Sequence, residues 1–158
     1  MAIDWQIAGL PAHPLLVHLT VVAVPTAALT ALAVAFWPAA RRWLSHGAPI
    51  IAVIAGVSVP LATSSGDWLE SRVQVTPAVE KHVDEAHNLL PWMGLLMLAI
   101  IAWWGWHAFV APRVSSAATL RTVAIAGPVV LTVLSVGTLI WVILIGHAGA
   151  AAAWQGRG

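Results

Sequence analysis

Long apolar runs alternate with short polar segments along the whole chain, and four of these runs are long enough to cross a membrane. A membrane-spanning helix needs about 20 consecutive apolar residues. The four runs cover residues 15–37, 50–65, 89–110 and 123–145. The pattern predicts an all-α integral membrane protein, a four-transmembrane-helix bundle that occupies residues 1–158 as a single domain.

The longest polar segment, residues 66–88, separates the second and third runs. Within it, Thr76 followed by Pro77 is typical of a helix N-cap and the first helical residue after it. We therefore predict a short interfacial helix before the third span. This helix would carry Asp84 and His87 on one face and run on toward the third span.

Charged residues are distributed unevenly between the two ends of the predicted bundle. The connections after the first and third spans carry Arg41, Arg42, Arg113 and Arg121 and contain no acidic residue. All six acidic residues fall in the N-terminal stretch or in the 66–88 segment. By the positive-inside rule the arginine connections are cytoplasmic, so both termini and the 66–88 loop are extracytoplasmic. We expect a multi-pass protein of the bacterial inner membrane.

The composition narrows the possible functions. The chain has 158 residues, of which 60% are hydrophobic and 8% charged, whereas soluble domains carry about 25% charged residues. A chain of this size cannot bury so much apolar surface in its own core, so the lipid bilayer must cover the rest. A net charge of +1 leaves no basic surface for nucleic acid. The absence of cysteine excludes thiolate metal sites, iron–sulfur ligation and covalent c-type haem.

Several histidines are predicted to collect at the extracytoplasmic rim. The stretch AHPLLVH holds His13 and, one helical turn deeper, His18, while His87 opens the third span and His147 closes the fourth. Asp67 follows the second span, so every span contributes an ionisable residue to the same rim. Such groups at membrane depth are costly and usually functional. A carboxylate at a helix C-terminus is disfavoured by the helix dipole, so we expect Asp67 to pair with one of these histidines.

Two further histidines, His46 and His107, lie near the other membrane face, the latter within the aromatic stretch WWGWHAF. Tryptophan-rich segments are typical of membrane interfaces. We interpret both histidines as structural.

A weak internal repeat is visible at the starts of the first and third spans. The stretch AHPLLVH matches AHNLLPW, which runs from Ala86 to Trp92, at its alanine, histidine and paired leucines. The match favours two repeated helical hairpins related by an axis along the membrane normal. In that arrangement His13 and His87 would face each other across the bundle.

Three motifs together resemble a known bacterial family. HPLLVH opens the first span, SGDW closes the second and HNLL opens the third. This combination resembles four-span membrane proteins with an HP-x-x-VH signature, catalogued as a domain of unknown function, and the resemblance covers nearly the whole chain. The matching residues are His13, Pro14, His18, Gly66, Asp67 and His87. Some relatives are joined to a Rieske-type iron–sulfur domain, so the resemblance implies a redox setting.

The first functional hypothesis is a protein that binds one haem b and acts in membrane electron transfer. A haem needs one or two neutral imidazoles on facing helices and an apolar slot between them. His18 together with His87 or His147 would supply them, and His13 is a further candidate. The expected partners are a redox protein, an iron–sulfur protein or quinone.

Two alternatives remain open from the residues. A non-haem metal site would use His13, His18, Asp67, Asp84 and His87, a mixed set of nitrogen and oxygen donors that suits Zn, Fe, Mn or Cu(II). In this set Asp84-x-x-His87 resembles the acid–histidine pairs of di-iron bundles. The third hypothesis is a cofactor-free accessory subunit of a membrane complex, whose polar rim only ties the helices together. Each hypothesis is compatible with an oligomer.

Overall fold

The computed structural model describes residues 4–154 and confirms the predicted four-helix architecture. Its helices, in chain order, are α1 (His13–Phe36), α2 (Pro38–Trp43), α3 (Gly47–Glu70), α4 (Pro77–Gly105) and α5 (Ala117–Trp154). Beyond Gly105, α4 continues through a π-helical turn, Trp106–Val110, and a 3-10 turn, Ala111–Arg113. All of these helices except the short α2 are long and apolar enough to cross a membrane.

The polar segment between the second and third spans is shorter than the sequence predicts. Thr76 caps α4 as expected, and its hydroxyl accepts a hydrogen bond from the Val79 amide at 3.4 Å. However, α3 continues to Glu70, and α4 runs without interruption from Pro77 into the third span, so only residues 71–76 are non-helical. Pro91 lies inside α4 without ending it, and membrane helices tolerate such prolines.

The long helices are arranged as a square of two hairpins. α1 packs against α3 and α5, and α4 packs against the same two helices, so α1 and α4 lie diagonally opposite each other. Small residues such as Ala27, Ala31 and Ala52 are fully buried between the helices, which allows the backbones to approach closely. Large apolar side chains such as Val22 and Ile143 are exposed on the outer surface. The bundle therefore contacts lipid along its outer faces.

A short β-hairpin precedes the bundle. Strands β1 (Gln6–Ile7) and β2 (Leu10–Pro11) pair in antiparallel fashion, and the turn between them holds Ala8 and Gly9 at φ values of 51° and 80°. The Ala12 amide donates to the Trp5 carbonyl at 2.9 Å. This hydrogen bond holds the hairpin next to the start of α1. Its strands are too short to produce an alternating pattern in the sequence.

Candidate functional site

The end of the bundle at which α1 and α4 begin and α3 and α5 end, here called the histidine end, contains a cavity of about 500 Å³. All the long helices contribute to its lining. Most lining residues are valine, leucine, alanine or glycine, and the ionisable ones are His13, His18, Asp67, Glu70, His82 and His87. The structure thus brings ionisable groups from three helices around one largely apolar space.

His13, the first residue of α1, reaches across to α3. Its Nδ1 lies 3.0 Å from the Ala62 carbonyl oxygen and 3.2 Å from the Ser65 hydroxyl. The ring packs on Gly66, where a Cβ would come within 3.0 Å of the His13 Cε1. Because a carbonyl oxygen can only accept, Nδ1 carries the hydrogen of the neutral ring and Nε2 keeps its lone pair.

His82 makes the same contact in the second hairpin. Its Nδ1 lies 3.2 Å from the Ile145 carbonyl oxygen of α5, and a Cβ on Gly149 would come within 3.0 Å of its Cε1. In both hairpins the accepting carbonyl precedes the glycine by one helical turn. His82 therefore corresponds to His13, whereas the repeat in the sequence pairs His13 with His87.

His87 is the partner of Asp67. The His87 Nε2 lies 3.3 Å from the Asp67 Oδ1, with 45% and 50% of the respective side chains exposed. This pair confirms the expectation that a histidine at the rim compensates the carboxylate. It joins α4 to α3 at the mouth of the cavity, where solvent screens the interaction.

The other predicted site residues are spread over the rim. His18 lines the cavity, but it is exposed and its Nδ1 donates to the Pro14 carbonyl of its own helix at 2.5 Å. His147 and Asp84 are exposed and do not line the cavity. Within residues 4–154, no group of three or more histidine, aspartate or glutamate side chains could hold a metal ion. Of the predicted metal set, His13, His18, Asp67 and His87 line the cavity whereas Asp84 does not, and the described residues of the set form no such group.

Comparison with known proteins identifies the family. The sequence profile of a family described as "predicted membrane protein (DUF2231)" matches residues 9–158. The chain belongs to this family. Membership in DUF2231 confirms the resemblance carried by the HPLLVH, SGDW and HNLL motifs. No curated protein and no solved structure matches the chain.

One residue of this candidate site was not predicted from the sequence. His82 is not among the candidate ligands that the sequence predicts. One face of α4 lines the cavity with Val79, His82, Val83, Ala86 and Leu89. Their spacing is that of a single helix face. The apolar residues of this stripe indicate that His82 faces the bundle interior. Their spacing in the sequence could therefore have identified His82 as a site residue.

Proposed function

We propose that this protein binds one haem b at the histidine end, where His13 and His82 would hold it, and that it transfers electrons in the bacterial inner membrane. The observation that carries this proposal is the repeated contact in which each ring donates Nδ1–H to a carbonyl of the neighbouring helix. Histidines that ligate a metal usually donate their other ring nitrogen in this way. Both Nε2 atoms are therefore left with a lone pair.

The position of the two rings supports a shared ligand between them. His13 begins α1 and His82 lies in the second turn of α4, and these helices are diagonal in the square. Both rings line the cavity of about 500 Å³, a volume within the range of about 300–1,000 Å³ that is typical of ligand sites. Gly66 and Gly149 let each ring pack closely against the helix behind it.

The donor set also suits the proposed chemistry. Haem iron held by two imidazoles exchanges single electrons, and the polarity and ligands of the site tune its potential. Two neutral imidazoles in an apolar slot would be suitable ligands for such an iron. Their hydrogen bonds to the neighbouring helices fix their tautomer and orientation. Electron donors or acceptors would reach the site from the same membrane face, and the expected classes are a redox protein, an iron–sulfur protein or quinone.

The same contacts favour a second candidate, a cofactor-free subunit of a membrane complex. The His13 and His82 hydrogen bonds tie α1 to α3 and α4 to α5, and the His87–Asp67 pair ties α4 to α3. A polar network of this kind stabilises a bundle without any cofactor. A metal ion has less support, because the described residues lack a group of three ligands.

An absorption spectrum of the purified protein, expressed with an adequate haem supply, separates these candidates. We expect a Soret band that shifts on reduction with dithionite, with one haem per chain by pyridine haemochrome assay. His13→Ala and His82→Ala should each lose the band, whereas His147→Ala, which removes an exposed histidine at the same end, should keep it. Circular dichroism checks that each variant retains its helices. A folded, colourless wild-type protein would overturn the proposal and favour the cofactor-free subunit.

A further inference from the structure

The opposite end of the bundle, here called the arginine end, contains a second cavity of about 350 Å³. It lies where the end of α1, the short α2, the start of α3 and the end of α4 meet. The polar and aromatic side chains that line it are Arg41, Arg42, Ser45, Trp103, Trp104 and His107. This cavity is separate from the histidine end and does not depend on the function proposed there.

Arg41 lines one side of this cavity, and contacts with neighbouring residues hold its side chain in place. Its Nε donates to the Val34 carbonyl at 3.0 Å, and its guanidinium lies over the Trp103 ring, 5.1 Å from the centroid. It also bonds the Nε2 of His107. Burial lowers the pKa of the Arg41 guanidinium from its ordinary value, yet an arginine stays protonated in proteins. The cavity is therefore lined by the positive charge of a guanidinium group whose position is fixed.

His107 contributes a hydrogen-bond donor that has no acceptor. Because a guanidinium can only donate, the His107 Nε2 accepts and the ring hydrogen is on Nδ1. Within the described part of the chain, this Nδ1 is buried and has no hydrogen-bond partner. An unsatisfied buried donor is costly, so a ligand acceptor that reached this Nδ1 would be bound favourably.

The remaining groups of the cavity are also donors. The Arg42 side chain is exposed and makes no hydrogen bond or ion pair with residues 4–154, and the Ser45 hydroxyl lies 3.3 Å from the His46 Nδ1. All six acidic residues of the chain lie in or beside the polar stretches of the other end. Two guanidinium groups, a hydroxyl and an imidazole N–H together match an anion with several acceptor oxygens, and arginine binds phosphate through paired hydrogen bonds.

We infer that the cavity at the arginine end binds a phosphate group, carried either by a lipid headgroup or by a free anion. Basic pockets between membrane helices bind anionic headgroups. Val34, Ile100 and Trp104 form the remaining wall, and this apolar surface suits the glycerol and first acyl carbons of a lipid.

Thermal unfolding of the delipidated protein in detergent tests this inference. The probes are dioctanoyl phosphatidylglycerol, inorganic phosphate and, as a phosphate-free match to the lipid, dioctanoylglycerol. A saturable rise in Tm with phosphatidylglycerol alone identifies a lipid site, and one with inorganic phosphate identifies an anion site. Arg42→Gln should weaken the apparent affinity about tenfold, the loss expected for one charge-assisted hydrogen bond.

The matched control is Arg121→Gln, which removes an exposed arginine from the same end but outside the cavity. It should leave the affinity unchanged. Ser45→Ala provides a second cavity variant and should weaken binding by a smaller factor. The inference is wrong if neither phosphate-bearing probe saturates, if dioctanoylglycerol stabilises the protein equally, or if the two arginine variants lose the same affinity.

Discussion

The imidazole of His13 packs against Gly66, so close that an alanine methyl at that position would come within 3.0 Å of the ring. His82 and Gly149 repeat this relationship with the same separation. Each hairpin is therefore closed at the histidine end by a histidine on its first helix and a glycine on its second. The hydrogen bonds to Ala62 and Ile145 hold the rings in place, so neither ring can move aside freely.

Alanine at these two glycines should lower stability relative to a glycine with open space. Gly66→Ala and Gly149→Ala each force a held imidazole to move, and overpacking costs about 1–3 kcal/mol. Gly146→Ala is the control because a Cβ there meets no atom within 4 Å, and alanine is the better helix former. Unfolding in mixed detergent micelles should rank Gly146→Ala above both others. Equal stability of all three variants would contradict the described contact.

Two deeper glycines should be more sensitive. A Cβ on Gly127 would overlap the Trp103 indole, and one on Gly137 would overlap that of Trp92. We expect Gly127→Ala and Gly137→Ala to reduce the free energy of unfolding by at least about 3 kcal/mol, the upper part of the range for overpacking. Gly94→Ala, with no atom near its Cβ, should be tolerated. Comparable melting of all three would argue against this packing of α4 on α5.

Arg41 and Arg42 are adjacent, but we expect only the substitution of Arg41 to lower the stability of the protein. Arg41 bonds the Val34 carbonyl at the end of α1 and packs on Trp103, so Arg41→Gln should lower stability by about 1.5–3 kcal/mol, the value of a hydrogen bond to a charged group. Arg42→Gln removes an exposed side chain and should stay within about 0.5 kcal/mol of wild type. The two melting temperatures, measured without added lipid, check this. A larger loss for Arg42→Gln would reverse the assignment of the two side chains.

The pair formed by Asp67 and His87 should contribute little to stability. Both side chains are about half exposed, and exposed ion pairs are worth about 0–1 kcal/mol. Asp67→Asn should therefore change the free energy of unfolding by less than about 1 kcal/mol, and the difference should shrink further in high salt. A loss of several kcal/mol would instead mean that the carboxylate is buried in the membrane-embedded protein.

The proposed orientation can be tested on the intact membrane because the chain has no cysteine. Ser71 lies in the loop at the histidine end and Ser115 lies between α4 and α5 at the arginine end, and both are exposed. Ser71→Cys should react with an impermeant maleimide on whole spheroplasts. Ser115→Cys should react only after permeabilisation. The reverse labelling pattern would invert the topology predicted from the arginines.

Several features of the fold follow from local sequence signals. The apolar runs predict the spans, and Thr76–Pro77 predicts the start of α4, because both signals act within one helix. The ends were less predictable: α3 extends to Glu70 and α4 joins the interfacial helix to the third span. A polar stretch can be a loop or an exposed helical turn, and periodicity alone does not separate them.

The candidate site was only partly predictable, and the choice among the histidines shows the reason. His18 lies deeper in the span than His13, which made it the stronger candidate, yet it bonds its own helix and is exposed. His107, interpreted as structural, bonds Arg41 and lines the cavity at the arginine end. Rotation of a helix about its axis determines such contacts, and an apolar helix with little amphipathic pattern does not reveal it.

The sequence by itself determined the membrane class, the number of spans, the separation of arginines from acids and the family, because these depend on composition, run length and short motifs. Only the tertiary structure decided that His82 corresponds to His13, that Asp67 meets His87 and that Arg41 meets His107. Each of these pairs joins residues that are distant along the chain. Their proximity depends on which helices are neighbours in the square and on the glycines that let them approach closely.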